Sequence, residues 1–165
     1  MSLLVRDAGP ADAEALGELF LLSVREGAAP RYTASERAAW MPAQPTGAAW
    51  ADRLAKLDVV LAEEQEKKLG FMSLGADGYV DLAFVHPDAR GTGVADALYA
   101  VLHSRALAAN IPRLTTHASL MARSFFARHG WEVEKAETVS RGQEKLKRFE
   151  MQKYLSVETE PCQPL

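Results

Sequence analysis

The run VHPDARGTGVADALYAVL at 85–102 holds the densest group of residues that could do chemistry. Arg90, Gly91, Thr92 and Gly93 stand directly before the clearest helical pattern of the chain, which Val94 and Ala95 open. A tight turn needs at most one glycine. Two within three positions let something outside the protein approach the backbone, because neither carries a Cβ. The first amides of a helix have no intrahelical partner and sit at the positive end of its dipole, so this entrance favours an anion. Arg90 can add a charge-assisted contact. A dinucleotide fingerprint needs a third glycine where Asp96 stands, and a Walker-type phosphate loop needs Lys-Ser/Thr where Val94-Ala95 stand. Two readings stay open from these residues: a short cradle for a pyrophosphate, and a loop whose glycines only shape the turn.

Other chemistry is thin. The four histidines (His86, His103, His117 and His129) show no metal-ligand spacing, and the lone Cys162 sits in the polar run SVETEPCQPL. A disulfide framework and a cysteine-rich metal site are thereby excluded, and no metal is expected. The formal net charge of −3, with no Lys/Arg block, argues against nucleic acid as the main partner. No signal peptide or membrane span is visible, so the expected location is cytoplasmic, with no membrane partner. At 165 residues and 48% apolar composition the chain is long enough for one domain, expected over 1–155, with a polar tail at 156–165.

The elements that must position the glycine turn follow from periodicity. LLVRDAG (3–9) reads as a strand stopped by Gly9-Pro10, and 11–26 shows helical spacing through Leu16, Leu19, Phe20 and Val24. TASE (33–36) has capping-box form, and 47–57 carries Trp50, Leu54 and Leu57 at helical spacing. The period then changes to strands at 58–64, 69–74 and 79–85. A helix at 93–109, a strand at 113–118, a helix at 120–129 closed by Gly130 and a final hairpin around Arg141-Gly142 complete the chain. The order is β-α-α-β-β-β-α-β-α-β-β. It predicts an α/β fold of α+β type, with a mixed, mostly antiparallel sheet of six to seven strands, four to five flanking helices and one β-helix-β crossover.

VHPDARGTGVADAL closely resembles the acetyl-CoA signature of the GNAT superfamily of N-acetyltransferases, Arg/Gln-x-x-Gly-x-Gly/Ala, filled here by Arg90, Gly93 and Ala95. A second family motif, Asn-x-x-Ala-x-x-Phe-Tyr followed by Gly-Phe, is matched at SLMARSFFARHGW (119–131) by Ala122, Phe125 and Gly130, with Trp131 in the aromatic place. Features such as YTASERAAW and the late Arg-Gly hairpin resemble a bacterial subgroup of uncharacterised members. The resemblance implies the GNAT fold and acetyl-CoA as co-substrate, its pyrophosphate held by the amides of Gly91, Thr92, Gly93, Val94 and Ala95. It also implies that the strand edge at Ala83, Phe84 and Val85 pairs with the pantetheine amides, and that this strand and the one at 113–118 splay apart around the thioester. Two positions depart from the pattern. Ser119 replaces the cofactor-binding Asn, and Phe126 replaces the Tyr that protonates the leaving thiolate, so Phe126 contacts the cofactor without a proton to give.

An acceptor amine with a pKa near 10.4 is neutral in only about one molecule in 2,500 at pH 7, a deficit of roughly 4.6 kcal/mol. A base is therefore expected. Asp81 shares strand parity with Ala83 and Val85, against a solvent-facing or salt-bridged reading, and His117 at the end of the next strand faces the same cleft. Tyr32, Trp40, Trp50 and Arg141 are candidates to line an acceptor pocket. The expected function is direct acetyl transfer to a primary amine, on a small molecule or a protein, with the acidic balance favouring a cationic acceptor. The alternatives are an acyl-CoA-binding module with little catalysis, which Phe126 suggests, and a nucleotide-binding protein. Exposed hairpins and helices would permit a homodimer.

Overall fold

The computed structural model describes residues 2–156. Cys162 and the expected tail from 157 onward lie outside the described residues. Strand β1 (Leu4–Asp7) ends at Gly9-Pro10, and a single 3-10 turn at Pro10–Asp12 leads into α1 (Ala13–Arg25). Two short helices follow, α2 (Ala34–Trp40) and α3 (Gly47–Ala55), so three helices rather than two separate β1 from β2. The prolines of MPAQPTG forbid a continuous helix between them. The capping box at α2 is formed as expected: Glu36 N donates to Thr33 Oγ1 at 3.1 Å, and Thr33 N donates to Glu36 Oε1 at 2.8 Å.

Strands β2 (Asp58–Glu64), β3 (Lys67–Leu74), β4 (Tyr79–Val80) and β5 (Ala83–Val85) precede the long helix α4 (Val94–Ala108). Then come β6 (Arg113–Ser119), α5 (Arg123–Arg128) and the hairpin β7 (Glu132–Arg141) and β8 (Glu144–Tyr154). The described strands form two sheets, ordered β1-β2-β3-β5 and β4-β6-β8-β7. Every pairing is antiparallel except β4 with β6, which α4 joins as the expected crossover. On β2, Val59 and Leu61 pack towards Leu16, Leu19 and Phe20 of α1, while Val60 and Ala62 pack towards Leu98 and Leu102 of α4. Both faces are covered, which is why VVLA (59–62) reads as an unbroken apolar run.

The expected strand 79–85 is broken in two, which raises the strand count to eight. The break is made by Ser73. Its backbone N donates to Leu82 O at 2.9 Å, but its buried hydroxyl, not its carbonyl, accepts from Leu82 N at 2.9 Å. A side chain replaces one ladder partner, the strand bends as at a bulge, and β4 leaves the first sheet for the second. The two sheets part at this fork.

An ion network fastens β1 to the start of α1. Arg6 holds Asp12 at 2.9 Å and Glu63 at 2.8 Å, Lys68 reaches Glu63 at 2.8 Å, and Asp12 also accepts from Gly9 N at 2.7 Å. The β2–β3 turn places two non-glycine residues in the left-handed region, Gln65 at φ 51° and Glu66 at φ 66°. An L side chain is strained there, so Glu66→Gly is expected to stabilise the fold by about 0.5–1 kcal/mol, read as a higher urea midpoint with an unchanged slope.

Candidate active site

Gly91 (φ 75°) and Gly93 (φ 90°) are both left-handed, and Gly93 is the N-cap residue of α4. At neither position would a Cβ meet any protein atom within 4 Å. The glycines therefore face open space. Thr92 between them is exposed, and its hydroxyl donates to Ala89 O, tightening the loop. Arg90 Nη1 donates to Gly27 O in the turn after α1, and among the described residues no carboxylate lies within ion-pair distance of it. Burial pushes the Arg90 guanidinium down from its ordinary value. A solvent-accessible cation without a carboxylate partner, beside bare helix amides, suits an incoming anion.

The loop borders a cavity of about 480 Å³, within the size range of small-molecule sites. Its walls are β5 (Ala83, Phe84, Val85), the first turn of α4 (Val94, Ala95, Asp96), Ser119 at the end of β6 and the α5 side chains Phe125 and Phe126. Among the described residues β5 pairs only with β3 and so forms the free edge of its sheet. An edge strand offers unpaired amides and carbonyls to an extended ligand that carries amides of its own. Phe84 is held by stacking on Phe20 (centroids 4.1 Å apart), and Ser23 Oγ donates to Val85 O at 3.1 Å. Asp96, in the first turn of α4, would repel an anion if it stood alone. His129 Nε2 at 2.8 Å and Arg128 at 3.1 Å hold its carboxyl below the usual range and offset its charge.

The residues singled out in the sequence fall into three groups. Arg90, Gly91, Gly93, Val94, Ala95, Ser119 and Phe126 line the cavity with β5, and Trp40 joins them. Phe126 is buried against Trp131, while the Ser119 hydroxyl accepts from Ala122 N at 3.2 Å. Asp81 and His117 sit beside the fork but do not line this cavity. Asp81 lies in the break between β4 and β5 and takes a bidentate pair with Arg53 of α3, at 2.9 and 3.0 Å. His117 is on the open face of β6 with its ring partly exposed.

Three of the acceptor-pocket candidates lie away from this cavity wall. Tyr32 is buried, its hydroxyl donating to Lys147 O at 2.6 Å and accepting from Leu120 N at 2.9 Å, so it pins β8 to the end of β6. Trp50 is buried against Phe20 and donates to Ala13 O at 2.7 Å, tying α3 to α1. In both, the polar atom of the ring is engaged within the fold. Arg141 ends β7 at the exposed hairpin turn and is not part of the cavity wall. Sequence reading missed Ser23, Arg128 and Asp96 as wall residues. Phe125 and Arg128, three apart on α5, were the one available signal.

A family model described as an acetyltransferase (GNAT) domain matches residues 28–155. The chain belongs to the GNAT family of N-acetyltransferases, and it is an acyltransferase by that membership. It is 31% identical over 138 residues to the uncharacterised N-acetyltransferase YafP of Escherichia coli (strain K12), covering 84% of this chain and 87% of that protein. Among solved structures it is similar to the GCN5-related N-acetyltransferase (aminotransferase, class-II) from Rhodopseudomonas palustris, with a TM-score of 0.87 at 32% identity over 94% of this chain and 97% of that one. The fold is also shared with yncA, a putative acetyltransferase from Salmonella typhimurium solved with its cofactor acetyl-CoA, with a TM-score of 0.72 at 19% identity over 98% of both chains.

Proposed function

We propose that this protein transfers the acetyl group of acetyl-CoA directly to a primary amine, on a small molecule or a protein, in the cytoplasm. The observation that carries the reading is the joining of three features around one cavity: the open glycine entrance of α4, Arg90 with no carboxylate partner among the described residues, and the free edge of β5. Amides of 91–95 would hold the pyrophosphate, and β5 would pair with the pantetheine amides. Acetyl-CoA supplies an activated thioester. The chain's own part is to hold that thioester in the fork, exclude water from it and admit an amine from the open side.

The buried Phe126 gives no proton to the leaving sulfur. An aliphatic thiol has a pKa near 8.5, so its thiolate is a tolerable leaving group, and the missing acid costs a rate factor of about 10² at the low end of general-acid effects. His117 is better placed than Asp81 to accept a proton, because Arg53 already occupies both Asp81 oxygens. Release of free thiol from acetyl-CoA in the presence of a panel of amines tests the reading. Thiol and acetylated amine are expected in equal amounts. Coenzyme binding with no thiol from any amine would support an acyl-CoA-binding module instead.

A further inference from the structure

The open face of the second sheet carries a run of polar groups that the cavity does not use. Tyr79 Oη lies 2.7 Å from His117 Nδ1 and so bridges β4 and β6, the two strands whose pairing ends at the fork. The rings meet edge to face with centroids 5.6 Å apart. On the other side, His117 Nε2 faces Glu137 Oε1 at 3.6 Å, and Arg148 Nε fixes Glu137 at 2.6 Å. A carboxylate opposite Nε2 selects the tautomer with its proton there, which leaves Nδ1 bare to accept the Tyr79 proton. The order phenol, imidazole, carboxylate is that of an oriented acid–base unit.

The groups that face this unit come from each neighbouring element. Asp81 and Asp77 flank Tyr79 on its own stretch of chain, with Arg53 from α3 and Arg148 from β8. Lys135 of β7 faces Glu137, and Glu150 of β8 is the register partner of His117. Burial, then the charge of Asp81, pushes the Tyr79 phenol up, so it stays protonated and able to donate. Ser119, which lines the cavity, is two residues beyond His117 on the same face of β6, a step of about 7 Å along a strand. Tyr79, the register partner of Thr115, stands two positions farther along β6, so a short file of waters rather than a single one would link its hydroxyl to the cavity.

We propose that Tyr79 and His117, oriented by Glu137, form the proton relay that receives the proton of the acceptor amine; the inference rests on the acetyl-transfer reading. The amine nitrogen forms its bond to the thioester carbonyl carbon, and the carbon–sulfur bond breaks with its electron pair on sulfur. The proton released by nitrogen passes through water to Tyr79 Oη while the phenol's own proton moves to His117 Nδ1. The imidazolium so formed faces Glu137. It returns its proton to the thiolate or to solvent before the next cycle.

The test is the pH dependence of turnover in Tyr79→Phe and His117→Gln, joined with the tautomer of His117 read by ¹⁵N NMR in the coenzyme-free protein. Each variant is expected to lose about 10²-fold in kcat, to keep its KM for acetyl-CoA and to lose the wild-type rise of rate through neutral pH. A neutral His117 ring carrying its proton on Nε2 is expected in the wild type. Wild-type pH profiles in both variants, or a neutral ring protonated on Nδ1, would overturn the relay alone. A wild-type protein that releases no thiol with any amine overturns the acetyl-transfer reading and the relay with it.

Discussion

Gly93→Glu will bind acetyl-CoA at least about 100-fold more weakly than the wild type, a loss of about 2.7 kcal/mol, while its unfolding midpoint falls only by the few degrees that backbone strain accounts for. The reasoning is geometric. A Cβ at 93 projects into space where no protein atom lies within 4 Å, so the new side chain meets no wall and the core is untouched. That same space is where a pyrophosphate must sit to reach the first amides of α4, and a carboxylate there adds like-charge repulsion to bulk. A glutamate at φ 90° carries backbone strain of about 1–2 kcal/mol, which has to be separated from the effect on binding. Gly142→Glu provides the control. Gly142 is also left-handed, at φ 57°, with nothing within 4 Å of its would-be Cβ, but it lies in the β7–β8 turn. Titration calorimetry with acetyl-CoA should show wild-type affinity in Gly142→Glu and its loss in Gly93→Glu. Equal affinity in the two variants would move the anion site away from α4.

Arg6→Met will cost about 2–3 kcal/mol of stability at pH 7, and the cost will shrink as the solution is acidified. Arg6 is the shared partner of Asp12 and Glu63, two nearly buried carboxylates that would otherwise face each other across β1. Hydrogen bonds from Arg6 and then from Lys68 pull Glu63 down to about 2, and Arg6 pulls Asp12 below its ordinary range. A carboxyl whose folded pKa is depressed contributes stability above its unfolded pKa and loses it as pH falls through the folded one. For Glu63 that window runs from about 4.5 down to about 2. The wild type should therefore lose stability steeply across that interval. The variant has less to lose, Lys68 being the cation left beside Glu63. Urea midpoints at neutral pH and near pH 2.5 decide the matter: a gap between the proteins that is the same at both would contradict the network's role.

The parts of the site that depend on local rules were legible in the sequence. The glycine pair with Arg90, the start of α4 and the cap of α2 are fixed by backbone conformation and by neighbours a few positions away. The splaying of the two strands came from the family resemblance, but the break that makes it was not legible. YVDLAFV reads as one strand, and its break at Asp81-Leu82 is decided by the hydroxyl of Ser73, nine residues upstream. Asp81 falls in that break, and its partner Arg53 is 28 positions away on α3. Tyr32 and Trp50 show the familiar ambiguity of aromatics at helical spacing: the same periodicity serves a pocket or a core, and the hydrogen bonds of both point to the core. Tyr79 and His117, 38 residues apart, become neighbours only through the parallel pairing across the crossover.

The free edge of β5 has a consequence for regulation. On the proposed reading a coenzyme bound there would mend a torn sheet through its pantetheine, while its diphosphate holds the entrance of α4, and both of those parts survive deacetylation unchanged. The spent coenzyme is thus nearly as good a patch as the fresh one, and it contends for the same seam. Turnover would then follow the cellular ratio of acetylated to free coenzyme rather than the amount of either, making the rip in the sheet a gauge of acetyl supply.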